Sequence, residues 1–250
     1  MDTEELLERY STGERDFSSI RELKHLNVPQ GQDLSGIDLQ GCKFHEVDFS
    51  EVNLAGANLS RVTLSCSIFR NANLRSANIS AATFWENTDL SGADLSFANL
   101  SSLTVEESIF QAAILIGADL SEADIKGADF RAANFVKVNL RDASISSSNL
   151  RGADLAGVDL SIMKQWTLNE TAGANLDGAV MPGSQPLKNE LNVTSEILKQ
   201  ISPEVIEVIK TDYLRFGDRL SAIKFLRGHT GWDLSQAKSV IDSIVMQVKS

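Results

Sequence analysis

Cysteine is scarce in this chain: Cys42 and Cys66 are the only two among 250 residues. Two thiols do not make a disulfide framework, and neither lies in a zinc-type Cys pair. Histidine is nearly as rare. His25, His45 and His229 stand far apart, so metal-ligand spacing is absent. No apolar run reaches the roughly 18 residues of a membrane-spanning helix, which reads as no membrane association. The segment Met1-Asp2-Thr3-Glu4-Glu5 lacks the charged and apolar regions of a signal peptide, and the expectation is a soluble, cytoplasmic protein. A basic excess is also missing. Lys and Arg number 23 against 34 Asp and Glu, for a formal charge of −11, so direct nucleic-acid binding is not expected. The acidic balance suits solubility or a basic partner surface. There is no Gly-x-Ser-x-Gly elbow and no phosphate-binding glycine loop. The expectation is no catalytic residue, no metal and no cofactor.

What the chain does have is a five-residue beat. A large apolar residue, most often Leu or Phe, recurs at Leu34, Leu39, Phe44, Phe49, Leu54 and Leu59, and onward to Phe84. One residue is inserted near Trp85–Thr88, and the beat resumes at Leu90 and runs to Leu160. That makes 11 and 15 centres, 26 in all. A short fixed period means a repeat architecture. Period five fits neither an amphipathic helix nor a flat strand. Two residues before the centre the side chain is small, and 13 of those 26 positions are Ala. Both positions therefore point inward. The residue just before the centre is usually Asp or Asn and points outward. Glycine falls two residues after the centre at Gly36, Gly41, Gly56, Gly92 and Gly117, among others. There it suits the positive φ of a type II turn.

Runs such as Ala57-Asn58-Leu59-Ser60-Arg61, Ala93-Asp94-Leu95-Ser96-Phe97 and Ala153-Asp154-Leu155-Ala156-Gly157 resemble the pentapeptide-repeat family, whose pattern is A-[D/N]-L-x-x. The resemblance covers about 130 to 150 residues. It implies an all-β right-handed quadrilateral β-helix with four units per 20-residue coil. Centres 20 residues apart then stack. One column reads Phe49, Phe69, Leu90, Phe110, Phe130, Leu150, and another Phe44, Leu64, Phe84, Val105, Ile125, Ile145. The interior is filled, so no cofactor channel is expected. Six and a half coils at a strand spacing of about 4.8 Å make a rod roughly 30 Å long. One unit cannot fold alone, and stability accrues by stacking.

Three regions are expected. Residues 1–30 are an N-terminal helical cap and a first irregular unit, 31–181 the repeat β-helix, and 182–250 a linker and an α-helical module. The cap helix spans residues 3–12, with Asp2 or Thr3 as N-cap and Leu6, Leu7 and Tyr10 as its apolar stripe. Many bacterial, especially cyanobacterial, members of the resembled family begin similarly. Arg15-Asp16-Phe17 reads as a first unit, and Ile20, Leu23, Leu26 and Val28 suggest a second helical turn or loop. Past Leu160 the beat falters, with a final partial coil around Ala174–Met181. Pro182-Gly183-Ser184-Gln185-Pro186 is a linker. Helices are expected near 194–201, 203–215, 218–228 and 233–248. Ala222-Ile223-Lys224-Phe225-Leu226-Arg227, with Thr230-Gly231-Trp232-Asp233-Leu234 and Gln236-Ala237-Lys238, resembles the helix–turn–helix of the bacterial ribosomal stalk protein C-terminal domain. That resemblance implies a factor-contacting surface at Lys224, Arg227 and Lys238.

The leading expectation is a non-enzymatic interaction scaffold with a protein partner, a homodimer being one form of it. An alternative comes from the quinolone-resistance members of the resembled family, acidic rods that imitate DNA and occupy DNA gyrase. The outward acids that would carry either role include Asp94, Asp119, Asp124, Asp129, Asp154 and Asp159. Six arginines, including Arg61, Arg70, Arg75 and Arg131, interrupt their field. A second alternative is regulation of a bacterial signalling or developmental pathway through a protein partner.

Overall fold

The computed structural model describes residues 1–85, 87–167 and 169–181, together with Ile241, which is helical and buried. The chain divides into two units, Met1–Gly183 and Ser184–Ser250. The first unit holds the repeat. Apart from Ile241, the four helices expected between 194 and 248 lie outside the described residues, as do Lys224, Arg227 and Lys238.

The five-residue beat closes into an all-parallel β-solenoid. Its strands are β1 (Glu22–Lys24), β2 (Lys43–His45), β3 (Thr63–Ser65), β4 (Thr83–Phe84), β5 (Thr104–Glu106), β6 (Asp124–Lys126), β7 (Ser144–Ser146) and β8 (Gln165–Thr167). They form one sheet in chain order, so eight strands make seven coil-to-coil steps. The expected column is the strand register itself: Phe44 pairs with Leu64, Leu64 with Phe84, Phe84 with Val105, Val105 with Ile125 and Ile125 with Ile145. Leu23 and Trp166 extend it at the two ends.

Three further ladders are built of single parallel bridges between the residues that precede the centres. The first runs Asp33, Asn53, Asn73, Asp94, Ile114, Asn134, Asp154, Asn175. The second runs Asp38, Asn58, Asn78, Asn99, Asp119, Asn139, and the third Asp48, Ile68, Asp89, Ile109, Asp129, Asn149, Glu170. Both neighbours of each bridging residue face the interior, because side chains alternate along extended backbone. Leu39, Phe49, Leu54, Leu95, Leu100 and Phe135 are fully covered, as are the small partners Cys42, Ala57, Ala93 and Ala113. Phe49 stacks on Phe69 at 5.3 Å between ring centroids, and Phe110 on Phe130 at 4.8 Å.

Away from the strands, the corners are four-residue turns. The N–H of Ile37 donates to the carbonyl of Leu34 (3.2 Å), and Ala118 does the same to Leu115 (2.9 Å). The third residue of these turns has positive φ, as expected for Gly36 and Gly117. Glycine is not required, however: Glu51, Arg61, Ala81, Phe97 and Ala132 take the same left-handed conformation. That conformation costs a non-glycine residue roughly 1–2 kcal/mol. The ladder bonds above and below hold it in place. After β2 and β6 the turn bond is replaced. There the N–H groups of Val47 and Ala128 donate to the buried hydroxyls of Ser67 and Ser148, one coil further on.

Residues 20–30 differ from the expectation of a second helical turn or loop. They carry strand β1, and Leu23, Leu26 and Val28 are buried in the common core. The beat is obscured there by two six-residue steps, Phe17 to Leu23 and Val28 to Leu34, whose extra residues the turns absorb. Leu160 to Trp166 is another such step, so the insertion near Trp85 is not alone inside the repeat. The bridges Asp154–Asn175 and Asp159–Val180 carry the solenoid on to residue 180.

Helix α1 (Thr3–Ser11) begins at Asp2, whose carboxylate accepts the Glu5 N–H at 2.9 Å. Leu6 and Tyr10 are buried, Leu7 only partly. The Tyr10 hydroxyl donates to the Ser35 carbonyl (2.8 Å) and the Thr3 hydroxyl to the Asn27 carbonyl (3.1 Å). The helix thus lies on the first coil. Among the described residues no helix is long and apolar enough to cross a membrane.

Candidate interaction surface

Leu, Phe and Ala fill the interior of the solenoid, so the surface it offers for contact is its outward rows. Their chemistry starts from the Asp or Asn before each centre. Its Oδ1 accepts the backbone N–H two residues on, as Asp33 does from Ser35, Asn53 from Ala55, Asp94 from Ser96 and Asp154 from Ala156. Asx side chains favour this local bond. Amides also link coils: Asn53 Nδ2 donates to Asp33, Asn139 to Asp119 and Asn175 to Asp154, at 2.8–2.9 Å.

The outward acids expected to form a partner surface are distributed around the coil. Asp94 and Asp154 share the first ladder, Asp119 lies in the second and Asp129 in the third. Asp124 is on β6, and Asp159 bridges Val180. Asp94, Asp119, Asp129, Asp154 and Asp159 each accept the turn N–H described above. Arginines neutralise several acids: Arg75 pairs with Asp94 at 3.2 Å, Arg131 with Asp129 at 2.6 Å and Arg151 with Glu170 at 3.2 Å. Arginines therefore interrupt the acidic surface at these points.

Asp89 departs from the outward expectation, being 4% exposed. Burial alone would raise its pKa. Hydrogen bonds from the Ser91 hydroxyl and N–H and from the Arg70 guanidinium outweigh that and hold the carboxyl below its ordinary range. A carboxyl lowered in the folded state stabilises the fold above its unfolded pKa of about 3.9, and that contribution is lost as pH falls through the folded value. Melting temperatures recorded by circular dichroism should therefore decline below about pH 4. Asp89→Asn, which keeps the turn acceptor but not the charge, should show a shallower decline. Equal slopes for the two proteins would remove Asp89 from this account.

One stretch of the first ladder breaks the polar rule. In the segment Gln111-Ala112-Ala113-Ile114-Leu115-Ile116-Gly117 no residue is charged, and Ile114 stands where the other seven rungs are Asp or Asn. Ile114 has no acceptor for the Ile116 N–H, so the turn bond worth roughly 0.5–1.5 kcal/mol is given up. Burial does not compensate, for Ile114 is 36% exposed. Phe97, on the adjacent coil, is 58% exposed. Gly117 makes room for it: a Cβ there would lie 2.9 Å from the Phe97 ring. The Arg75 guanidinium carbon sits 5.5 Å from the same ring's centroid. Ile116 and Val136, both half-buried, complete an apolar island within an Asp, Asn and Arg surround. Sequence reasoning passed over it because its members lie on three coils. The signal was present in Ile114, an aliphatic residue in an Asx column.

Stacking also joins His25 and His45, which are remote in sequence. Their rings lie 6.1 Å apart, and His25 Nδ1 approaches Glu46 at 2.8 Å. Among the described residues, no three His, Cys, Asp or Glu side chains are placed to hold a metal ion. The two thiols differ sharply. Burial pushes the Cys42 thiol up to about 12, while Cys66 is exposed. A thiol-specific disulfide reagent should titrate one thiol in the native protein and two after denaturation, and modification of both at equal native rates would contradict the packing.

A sequence profile described as pentapeptide repeats matches in eight copies, over residues 30–61, 53–84, 67–102, 88–127 and 123–161. Among solved structures, the chain is similar to HetL, a pentapeptide repeat protein involved in heterocyst differentiation regulation from the cyanobacterium Nostoc sp. strain PCC 7120. Identity is 26%, coverage 74% of this chain and 99% of HetL, and TM-score 0.25. It is also similar to full-length QnrB1, a plasmid-mediated fluoroquinolone resistance protein, at 19% identity, with 74% and 92% coverage and a TM-score of 0.26. A third is Rfr23 from the cyanobacterium Cyanothece 51142, at 20% identity, with 70% and 96% coverage and a TM-score of 0.21. No curated protein sequence matches the chain.

Proposed function

The chain belongs to the pentapeptide-repeat family, and from that premise we propose that it is a non-enzymatic scaffold that binds a protein partner through its outer faces. On this reading the coil is the right-handed quadrilateral type and the protein works in the cytoplasm. The observation that carries the proposal is the apolar island at Phe97, Ile114, Ile116 and Val136. A contiguous exposed apolar patch rimmed by polar residues marks an interaction site, where singly scattered apolar residues do not. The ladder bonds preset the wall, so little ordering entropy opposes docking.

The DNA-mimic alternative draws less support. Its acids are spread over several ladders, and Asp94 and Asp129 are paired with arginines. Regulation of a signalling pathway would use the same surface as a scaffold, and the identity of the captured partner would decide between them.

The test is capture by the full-length protein, immobilised beside a Phe97→Ala/Ile114→Asp variant. Asp is the ordinary residue of that ladder, so the variant should fold. A partner retained at least tenfold better by the unmodified chain is the expected result. Equal retention by both proteins would refute the island as the binding surface. A gyrase supercoiling assay at micromolar protein separates the alternative, since inhibition there would move the activity to the acids.

A further inference from the structure

We propose that the apolar island takes an acidic, amphipathic helical segment of a partner protein, with apolar side chains over Phe97 and Ile114 and a carboxylate on Lys137. The proposal rests on the reading of this face as a protein-binding surface, and adds the kind of partner that covers it.

Charge selects the partner. The island lies on the faces of the third and first ladders, over residues 89–97, 109–117 and 129–137 of three successive coils. The acids in these segments are Asp89, Asp94 and Asp129, and an arginine pairs with each. Arg70 holds Asp89 at 2.6 Å, Arg75 holds Asp94 at 3.2 Å and Arg131 holds Asp129 at 2.6 Å. Lys137 is the charge left over. It is exposed and has no ion-pair partner among the described residues. In a chain of formal charge −11, the uncompensated charge at the island is thus positive, and complementarity asks for an anion beside an apolar group. Asp119 and Asp154 lie outside the patch, round the corner and one coil past Lys137.

The corner row marks the same place. Phe97, Gly117 and Lys137 follow one another one coil apart, the Phe97 N–H donating to Ile116 O and the Gly117 N–H to Val136 O. From Gly36 to Gly178 the rest of that row is glycine or serine. Two large side chains therefore stand out of a bare row, an aromatic one and a cation, about 10 Å apart along the solenoid axis at 4.8 Å per step.

Spacing selects a helix. Three coils fall short of the ~800 Å² per partner of a standard interface between domains, and suit a short segment. A helix laid along the axis returns a side chain to one face every ~5.4 Å, close to the ~4.8 Å between coils. An extended segment returns one every ~6.8 Å and falls out of step. Apolar residues at i and i+4 of the helix then cover Phe97 and Ile114, and Asp or Glu at i+7 reaches Lys137.

A phage-displayed library of random peptides about four helical turns long, selected on the immobilised full-length protein, tests it. Enriched sequences should carry apolar residues three or four apart, with Asp or Glu one turn further on. One such peptide, synthesised with a fluorescent label, is then titrated by anisotropy. Ile114→Asp and Lys137→Glu should each weaken its binding about tenfold. Glu46, Glu51 and Glu107 hold the same left-handed corner conformation as Lys137, so Lys137→Glu should fold, which circular dichroism checks. The peptide with its acid changed to Lys should prefer the Lys137→Glu protein to the unmodified one.

No enrichment, enriched peptides without acids, or equal affinity for the Lys137→Glu protein would each overturn the proposal. So would a dimer in sedimentation equilibrium that Ile114→Asp abolishes, the occupant then being a second copy. A failed selection, with Phe97 and Ile114 still governing capture of a folded protein, defeats the helical occupant and leaves the scaffold reading standing. Capture and peptide binding that are both indifferent to Ile114→Asp defeat the two together.

Discussion

Phe110→Ala is expected to cost about 3–5 kcal/mol of folding stability, the range for removing a large aromatic from a core that cannot collapse. Phe110 is 1% exposed and is stacked on Phe130 at 4.8 Å, with Phe84 at 6.3 Å on its other side. The void cannot close, because the backbone around it is pinned by ladder bonds on both sides. The N–H of Phe110 donates to Asp129 O and that of Leu90 to Ile109 O, each at 2.7 Å. A solenoid is stabilised between nearest neighbours, so the loss should fall on the middle coils. Denaturant titration should show a lowered midpoint, with an early phase from those coils. Phe97→Ala, which removes a ring 58% exposed, should shift stability by about 0.5 kcal/mol or less, the usual size for surface substitutions. A loss under about 1 kcal/mol at Phe110 would mean that the aromatic column is not the core it is taken to be.

Removal of residues 1–12 should have the second large effect, on association more than on secondary structure. Leu6 is fully buried and Tyr10 nearly so. Withdrawing two such side chains uncovers apolar surface worth roughly 3–6 kcal/mol in total, at 1.5–3 kcal/mol each. It also releases the Ser35 and Asn27 carbonyls that Tyr10 and Thr3 hold. The first coil would then present an open parallel edge, the template for pairing with another chain. Light scattering after size exclusion should show oligomers or precipitation for the truncated chain, with β-type circular dichroism retained before aggregation. Leu6→Asp should reproduce the effect in milder form. A truncated protein with unchanged mass and melting temperature would show that the helix is dispensable as a cover.

The interaction surface was legible only in part. The sequence named Asp94, Asp119, Asp129 and Asp154 as outward residues, and they are outward. Each is also occupied, holding a turn N–H, an amide of the next coil or an arginine. Spacing along a chain cannot report that, since Arg75 and Asp94 are 19 residues apart and meet only because the coil returns. The same return buried Asp89 and brought His25 to His45. The island was missed for the same reason, as Phe97 and Ile116 are neighbours only across a ladder, where the Phe97 N–H donates to Ile116 O at 2.9 Å.

Periodicity by itself determined the repeat, the inward rows and the stacking columns. The physical reason is local: a five-residue unit with two inward positions has one way to hide them, and it needs no information from elsewhere in the chain. The N-terminal helix was readable on the same terms, from its cap and apolar stripe. Tertiary structure decided what depends on registration between coils. It showed that residues 20–30 carry a strand, because an extra residue is absorbed in a turn while the ladder keeps its register. It placed left-handed corners at Glu51, Arg61 and Phe97 without glycine, because bonds from the flanking coils offset a conformation that the isolated residue disfavours. And it set an exposed Ile114 among aspartates and asparagines, a contrast visible only once every twentieth residue stands side by side.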